Sequence, residues 1–170
     1  MKNTASVIDA SVKDPIKTEK DVICALKTFT TVYRVKIENY SQLKHSYDLV
    51  INCGTFHLAG YEWTVDYFPR LFYFTNEVGL RIRLCTNINT SLKLDIQINL
   101  IDPSGRCLVV AKKKRTYYWR NDGEPITIMR KTKLESSKYI NDDCFSFECI
   151  VTVTKWSHEP KYSEEEVSFW

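Results

Sequence analysis

Three histidines, six cysteines and a few paired carboxylates are the side chains of this 170-residue chain with the usual means for chemistry. His45, His57 and His158 fall in no HExxH or other metal-ligand spacing. The cysteines (Cys24, Cys53, Cys85, Cys107, Cys144, Cys149) are scattered, and no CxxC occurs. Cys144 and Cys149 stand five apart in an expected strand, a spacing that points them to opposite faces. Scattered cysteines are more often small buried hydrophobes than ligands. Asp142-Asp143 and Glu164-Glu165-Glu166 fall in a turn and a tail, where carboxylates are ordinarily solvated. No GxSxG, P-loop or GxGxxG is present. The expectation is a chain that catalyses nothing and holds no metal and no cofactor.

Two basic features suggest binding instead. Lys112-Lys113-Lys114-Arg115 is followed by Tyr117, Tyr118 and Trp119, and basic residues beside aromatics can hold single-stranded nucleic acid. Yet 24 basic residues stand against 21 acidic ones, a net charge of +3, so the chain lacks the basic face such proteins use. The favoured reading is a solvated hairpin loop whose aromatics enter the core, with no nucleic-acid partner. Arg81 and Arg83 alternate with Leu80, Ile82 and Leu84. Two guanidinium groups on one strand face suit carboxylates or phosphates, so Arg81 and Arg83 are a candidate anion contact. The plainer reading is solubilising charge.

The elements that position these residues follow from period. Hydrophobic residues make up 44% and aromatics 13%, too many for a wholly disordered chain. The length fits one domain. Tyr33, Val35 and Ile37 alternate with polar neighbours, as do Tyr61, Trp63, Val65 and Tyr67, then Leu92 to Leu100, then Phe145 to Val153. Ala59-Gly60, Asp102-Pro103-Ser104-Gly105 and Asn121-Asp122-Gly123 read as turns. Ser46 to Ile51 is a weaker strand, and Cys107 to Ala111 and Thr116 to Trp119 are two short ones. Lys131 to Ser137 carries helix formers for one short helix. About eight strands and no βαβ rhythm predict an all-β, eight-stranded antiparallel β-sandwich. Residues 1–27 read as a flexible leader, 28–155 as the domain and 156–170 as an acidic tail, with Val22 to Leu26 open between a helix and an approach to the fold. No apolar run nears the ~20 residues that span a bilayer, and the first residues lack a signal-peptide core. The expected residence is cytoplasmic or nuclear, with reduced thiols and no membrane partner.

The segment Leu134 to Val153, with Leu134-Glu135-Ser136-Ser137, Tyr139, Asp142-Asp143-Cys144-Phe145 and Val151-Thr152-Val153, resembles the closing strand of a MATH (meprin and TRAF homology) domain, closest to the plant MATH–BTB kind. Tyr33 to Ser41 resembles the family's opening strand, Phe56 to Pro69 its F-x-x-G-G-Y-x-W block and Leu94 to Gly105 its central strand and turn. Together they cover about residues 30 to 154.

The resemblance implies a TRAF/MATH-like sandwich that holds short extended peptides of other proteins. It also implies the substrate-recognition part of a cullin–BTB ubiquitin-ligase adaptor, with substrates of ubiquitination and other MATH–BTB proteins as partners. Other roles consistent with it are a decoy or regulator of MATH–BTB proteins and a non-catalytic accessory domain of a deubiquitinase-type system. A sugar-binding sandwich is a further reading, with Trp63 and Tyr117 to Trp119 stacking on rings, although burial in the core explains these aromatics more simply. The residues after Val153 are too few for a BTB domain. The family's peptide groove uses aromatics and a W-G-F-K loop. Here those positions fall on Arg81, Ile96, Tyr117, Gly123 and Pro125, of which only Tyr117 is aromatic. The departure suggests a different peptide preference, with acidic peptides favoured by Arg81 and Arg83.

Overall fold

The computed structural model describes residues 22–46, 49–72 and 74–160. The expected alternation becomes eight strands: β1 Val22–Ile37, β2 Ile51–Leu58, β3 Tyr61–Phe68, β4 Glu77–Leu84, β5 Leu92–Ile101, β6 Cys107–Tyr117, β7 Ile126–Arg130 and β8 Phe145–Pro160. Two short helices, α1 Tyr40–Leu43 and α2 Lys131–Glu135, interrupt them, one more than the sequence suggested. The strands form two four-stranded sheets, β1-β8-β5-β6 and β2-β3-β4-β7, and every pairing is antiparallel.

The rows that alternate in sequence meet between the sheets. Trp63, Val65 and Tyr67 of β3 and Leu80, Ile82 and Leu84 of β4 are fully buried. They face Leu92, Leu94, Ile98 and Leu100 of β5 and Phe145, Phe147, Cys149, Val151 and Val153 of β8. Each fully buried aliphatic or aromatic side chain contributes roughly 1.5–3 kcal/mol relative to exposure. The turns expected from Ala59-Gly60 and Gly105 are present, with all three residues at positive φ.

Three boundaries differ from the sequence reading. β1 begins at Val22, so Val22 to Lys27 are strand and not leader. They pair with Lys155 to Pro160, which carry β8 into the stretch read as tail. The leader up to residue 21 and the tail from residue 161, with its Glu164-Glu165-Glu166 run, lie outside the described residues. Residues 47 and 48 of the weak strand candidate are outside them too, and β2 starts only at Ile51. The largest difference is β6. The basic run Lys112 to Arg115, read as a loop between two short strands, lies inside one continuous strand that pairs with β5 from Leu92↔Tyr117 to Ile101↔Cys107. Four adjacent like charges looked like a turn, but a strand at a sheet edge keeps such side chains in water.

The β5–β6 hairpin is fastened by Asp102. Its Oδ1 accepts bonds from the Ser104 N–H (3.0 Å), the Ser104 hydroxyl (2.6 Å) and the Arg106 N–H (2.8 Å). Its Oδ2 accepts from Lys138 Nζ at 2.8 Å, tying the hairpin to the chain after α2. The Lys138 ammonium, then the Ser104 hydroxyl, hold this carboxyl well below the usual carboxylate range. A depressed folded pKa adds stability that is present above the unfolded value, near 3.9, and is lost as pH falls through the folded value. Asp102→Asn removes that dependence. Chemical denaturation at pH 7 and at pH 3 is expected to show the variant less stable than the parent at pH 7, with the gap narrowing at pH 3. A gap that stays constant would mean that Asp102 acts only through the hairpin's shape.

Candidate functional site

The residues singled out in sequence divide into two groups. Arg81 and Arg83 do share one face of β4, but that face already holds an anion. β3 sets Asp66 opposite Arg81. The Arg81 Nε and Nη2 reach Asp66 Oδ2 at 3.0 and 2.8 Å, and Arg83 Nε approaches the same oxygen at 3.4 Å. Asn52 Nδ2 donates to the other oxygen at 3.1 Å. Asp66 is buried at 2% exposure, and the Arg81 guanidinium also lies over the Phe68 ring. An unpaired buried carboxylate would be costly, and these two arginines neutralise it. They serve the outer face of this sheet before they serve a ligand. A signal for this was present in sequence, since Thr64 and Asp66 form the polar row of β3 just as Arg81 and Arg83 form that of β4.

The other group collects where the two sheets end, at β6 and β7. Tyr117 closes β6 with its ring in the core, edge-on to Trp63 at 5.4 Å between ring centres. Its hydroxyl donates to the Ile82 carbonyl at 2.7 Å, and burial pushes the phenol above its ordinary range. Ile96 lies in the core at 3% exposure, on the inner row of β5. Gly123 sits against β4, and Pro125 offers its carbonyl to Arg115 Nη2 at 3.2 Å. Arg115 also donates from Nη1 to the Glu124 carbonyl, so one guanidinium ties the β6–β7 connection to its strand. Thus Tyr117, Gly123 and Pro125 come together. Ile96 and Tyr117 are walls of the core, and Arg81 belongs to the Asp66 cluster.

Two of the three aromatics expected to enter the core after the basic run complete the site from outside it, and only Tyr117 is buried. Tyr118 and Trp119 stand exposed at 59% and 64%, with ring centres 5.9 Å apart. The Tyr118 N–H is held by Asp122 Oδ2 at 2.9 Å. With Arg115, Thr116, Gly123 and Glu124 they line a cleft of about 310 Å3. Lys112, Lys113 and Lys114 are exposed along the neighbouring stretch of β6. Both β6 and β7 end their sheets, so each has a main-chain edge with no strand beside it among the described residues.

Burial pushes the thiols of Cys53 and Cys149 up to about 11 and about 12. A thiol that stays protonated at neutral pH is a poor nucleophile. None of the six cysteines is in a disulfide, and no group of three or more histidine, cysteine or carboxylate side chains gathers as a metal site among the described residues.

A family model described as MATH domain matches residues 32–151, more than half of the chain. The chain belongs to the MATH-domain family. No curated protein matches it in a sequence search. The matched MATH span runs from within β1 to Val151 of β8 and so contains both edges of the site. The long β1–β8 ribbon continues past it at each end, to Val22 and Pro160. A MATH domain is a protein-interaction module, and protein partners are what this membership implies.

Proposed function

We propose that this MATH domain recognises extended segments of partner proteins at the side of the sandwich where β6 and β7 end the two sheets. The observation that carries the reading is the coincidence there of uncovered strand edges with an exposed aromatic pair, Tyr118 and Trp119. An extended segment laid along an edge gains main-chain hydrogen bonds, and side-chain pockets beside the edge select its sequence. Aromatic side chains offer large contact area at low entropy cost, as binding surfaces require.

The resemblance of Leu134 to Val153 to MATH–BTB proteins supports a finer role, in which the bound segments belong to substrates of ubiquitination and the ligase contact is made outside residues 22–160. In this role the chain itself performs no catalysis and works in the cytoplasm or nucleus.

The test uses the exposed pair, because Tyr117 is committed to the core. The full chain and its Tyr118→Ala/Trp119→Ala variant are used as baits in cell extract, with captured proteins counted by mass spectrometry. The parent is expected to enrich a discrete set that the variant loses by about 10-fold or more, since central aromatic contacts are commonly worth ~2 kcal/mol each. Equal capture by both would remove this side of the sandwich as the binding surface.

A further inference from the structure

Lys112, Lys113, Lys114 and Arg115 follow one another inside β6. Successive strand residues point to opposite faces, so Lys112 and Lys114 stand on one face and Lys113 and Arg115 on the other. The pairing with β5 sets Lys112 opposite Gln97, Lys113 opposite Ile96 and Lys114 opposite Asp95. Asp95 is the one carboxylate that answers the three lysines among the described residues, at 3.8 Å from Lys114 Nζ. Both partners are mostly exposed, and such a pair neutralises little. Arg115 is held by the Glu124 and Pro125 carbonyls. Lys112 and Lys114, with Ile150 and Thr152, also rim a shallow trough of about 350 Å3 over Asp95 and Gln97. Of the two basic features read in sequence, Arg81 and Arg83 on β4 are held by a buried carboxylate, whereas the three lysines of β6 face only one exposed carboxylate among the described residues.

This charge constrains what can lie beside the strand. Like charges opposite one another in a ladder are destabilising, and lysines on an edge strand prevent it from pairing with a second copy of itself. A strand with carboxylates at alternate positions meets the reverse condition. We infer that β6 accepts an acidic extended segment of a partner protein, which adds as a fifth strand beside Ala111 to Arg115 and sets carboxylates opposite Lys112 and Lys114. The inference rests on the domain's reading as a holder of extended segments and names the chemistry of the segment. The shift in register between Ile98 and Asn99 ends the regular edge on one side, and the connection beyond Tyr117 ends it on the other. A nucleic acid would satisfy the lysines but has no amide row to pair with the edge, so a peptide fits both features.

Fluorescence anisotropy on the full chain tests this with four probes: labelled (Thr-Glu)4, (Thr-Gln)4, (Thr-Lys)4 and a twelve-residue oligothymidylate. The acidic peptide is expected to bind ~10-fold more tightly than the neutral one, an advantage that shrinks in high salt. Lys112→Gln/Lys114→Gln should abolish the advantage, whereas Lys133→Gln on α2 should keep it. Hydrogen exchange should show (Thr-Glu)4 slowing the amides of Ala111 to Arg115. Equal binding of the acidic and neutral peptides overturns the acidic preference and leaves the extended-segment reading standing. Binding of no peptide removes both. Tighter binding of the oligothymidylate makes β6 a nucleic-acid contact and overturns the inference, and acidic binding without amide protection overturns strand addition.

Discussion

Tyr117→Ala is expected to lower the stability of this domain by about 3–5 kcal/mol, the range for removing a large buried aromatic side chain from a core. Stabilities of single domains run to about 5–15 kcal/mol, so the loss would bring the chain close to unfolding. Three contacts are lost together. The ring leaves a cavity between Leu92, which β5 pairs with it, and Trp63, which it meets edge-on at 5.4 Å. The hydroxyl leaves the Ile82 carbonyl, 2.7 Å away, without its donor. That carbonyl needs one because β7 pairs with β4 only as far as Leu80↔Ile126. Beyond it the edge of β4 is completed by the connection from β6, where Leu84 N–H donates to the Asp122 carbonyl and Asn121 N–H to the Leu84 carbonyl. Ile82 lies between these points and takes its donor from Tyr117. Tyr117→Phe separates the two effects: it keeps the ring and drops the hydroxyl, so a loss of about 1–2 kcal/mol is expected. Urea denaturation of both variants measures the difference. If the alanine variant proves as stable as the phenylalanine one, the ring does not carry the packing described here.

The same contacts show how far the sequence could be read. The strands were legible because apolar rows of period two leave few alternatives: Trp63, Val65 and Tyr67, or Phe145 to Val153, can bury together only as strands. The role of Tyr117 was harder. Alignment to the family groove placed it among peptide contacts, and only the third dimension shows its hydroxyl turned inward to a strand end that β7 leaves unpaired. Arg81 and Arg83 were placed on the correct face, but their partner Asp66 lies on a different strand, and partnership across strands depends on register. Lys112 to Lys114 were misread as loop because charge is a weak guide to backbone: an edge strand solvates its side chains almost as well as a turn does. Apolar rows of period two were therefore read well, whereas charged strand stretches such as Lys112 to Arg115 and partnerships across strands such as Arg81 with Asp66 were not.

Gly123→Ala is expected to cost about 3 kcal/mol or more, for two separable reasons. The first is conformational. Gly123 has φ 142°, a backbone state that side-chain-bearing residues adopt at a cost of order 1–3 kcal/mol. The second is space. A Cβ on Gly123 would stand 2.3 Å from the Ile82 carbonyl oxygen and 3.2 Å from the Arg83 Cα, both backbone atoms of β4 that cannot rotate away. Relief would require lifting the connection from β4, which would also stretch the Leu84 bonds to Asn121 and Asp122 and draw the Ile82 carbonyl from Tyr117. Gly105→Ala serves as the comparison. It too has positive φ, 83°, but its added Cβ would meet no atom within 4 Å, so about 1 kcal/mol is expected from backbone strain alone. Thermal unfolding of both variants tests the contrast, and equal losses would show that close approach to β4 contributes nothing. The larger loss at Gly123 would have a functional consequence as well. Lifting the connection moves Tyr118 and Trp119, so peptide capture should fall in the Gly123 variant even at temperatures where it remains folded, while the Gly105 variant, at the far end of β6, should bind as the parent does.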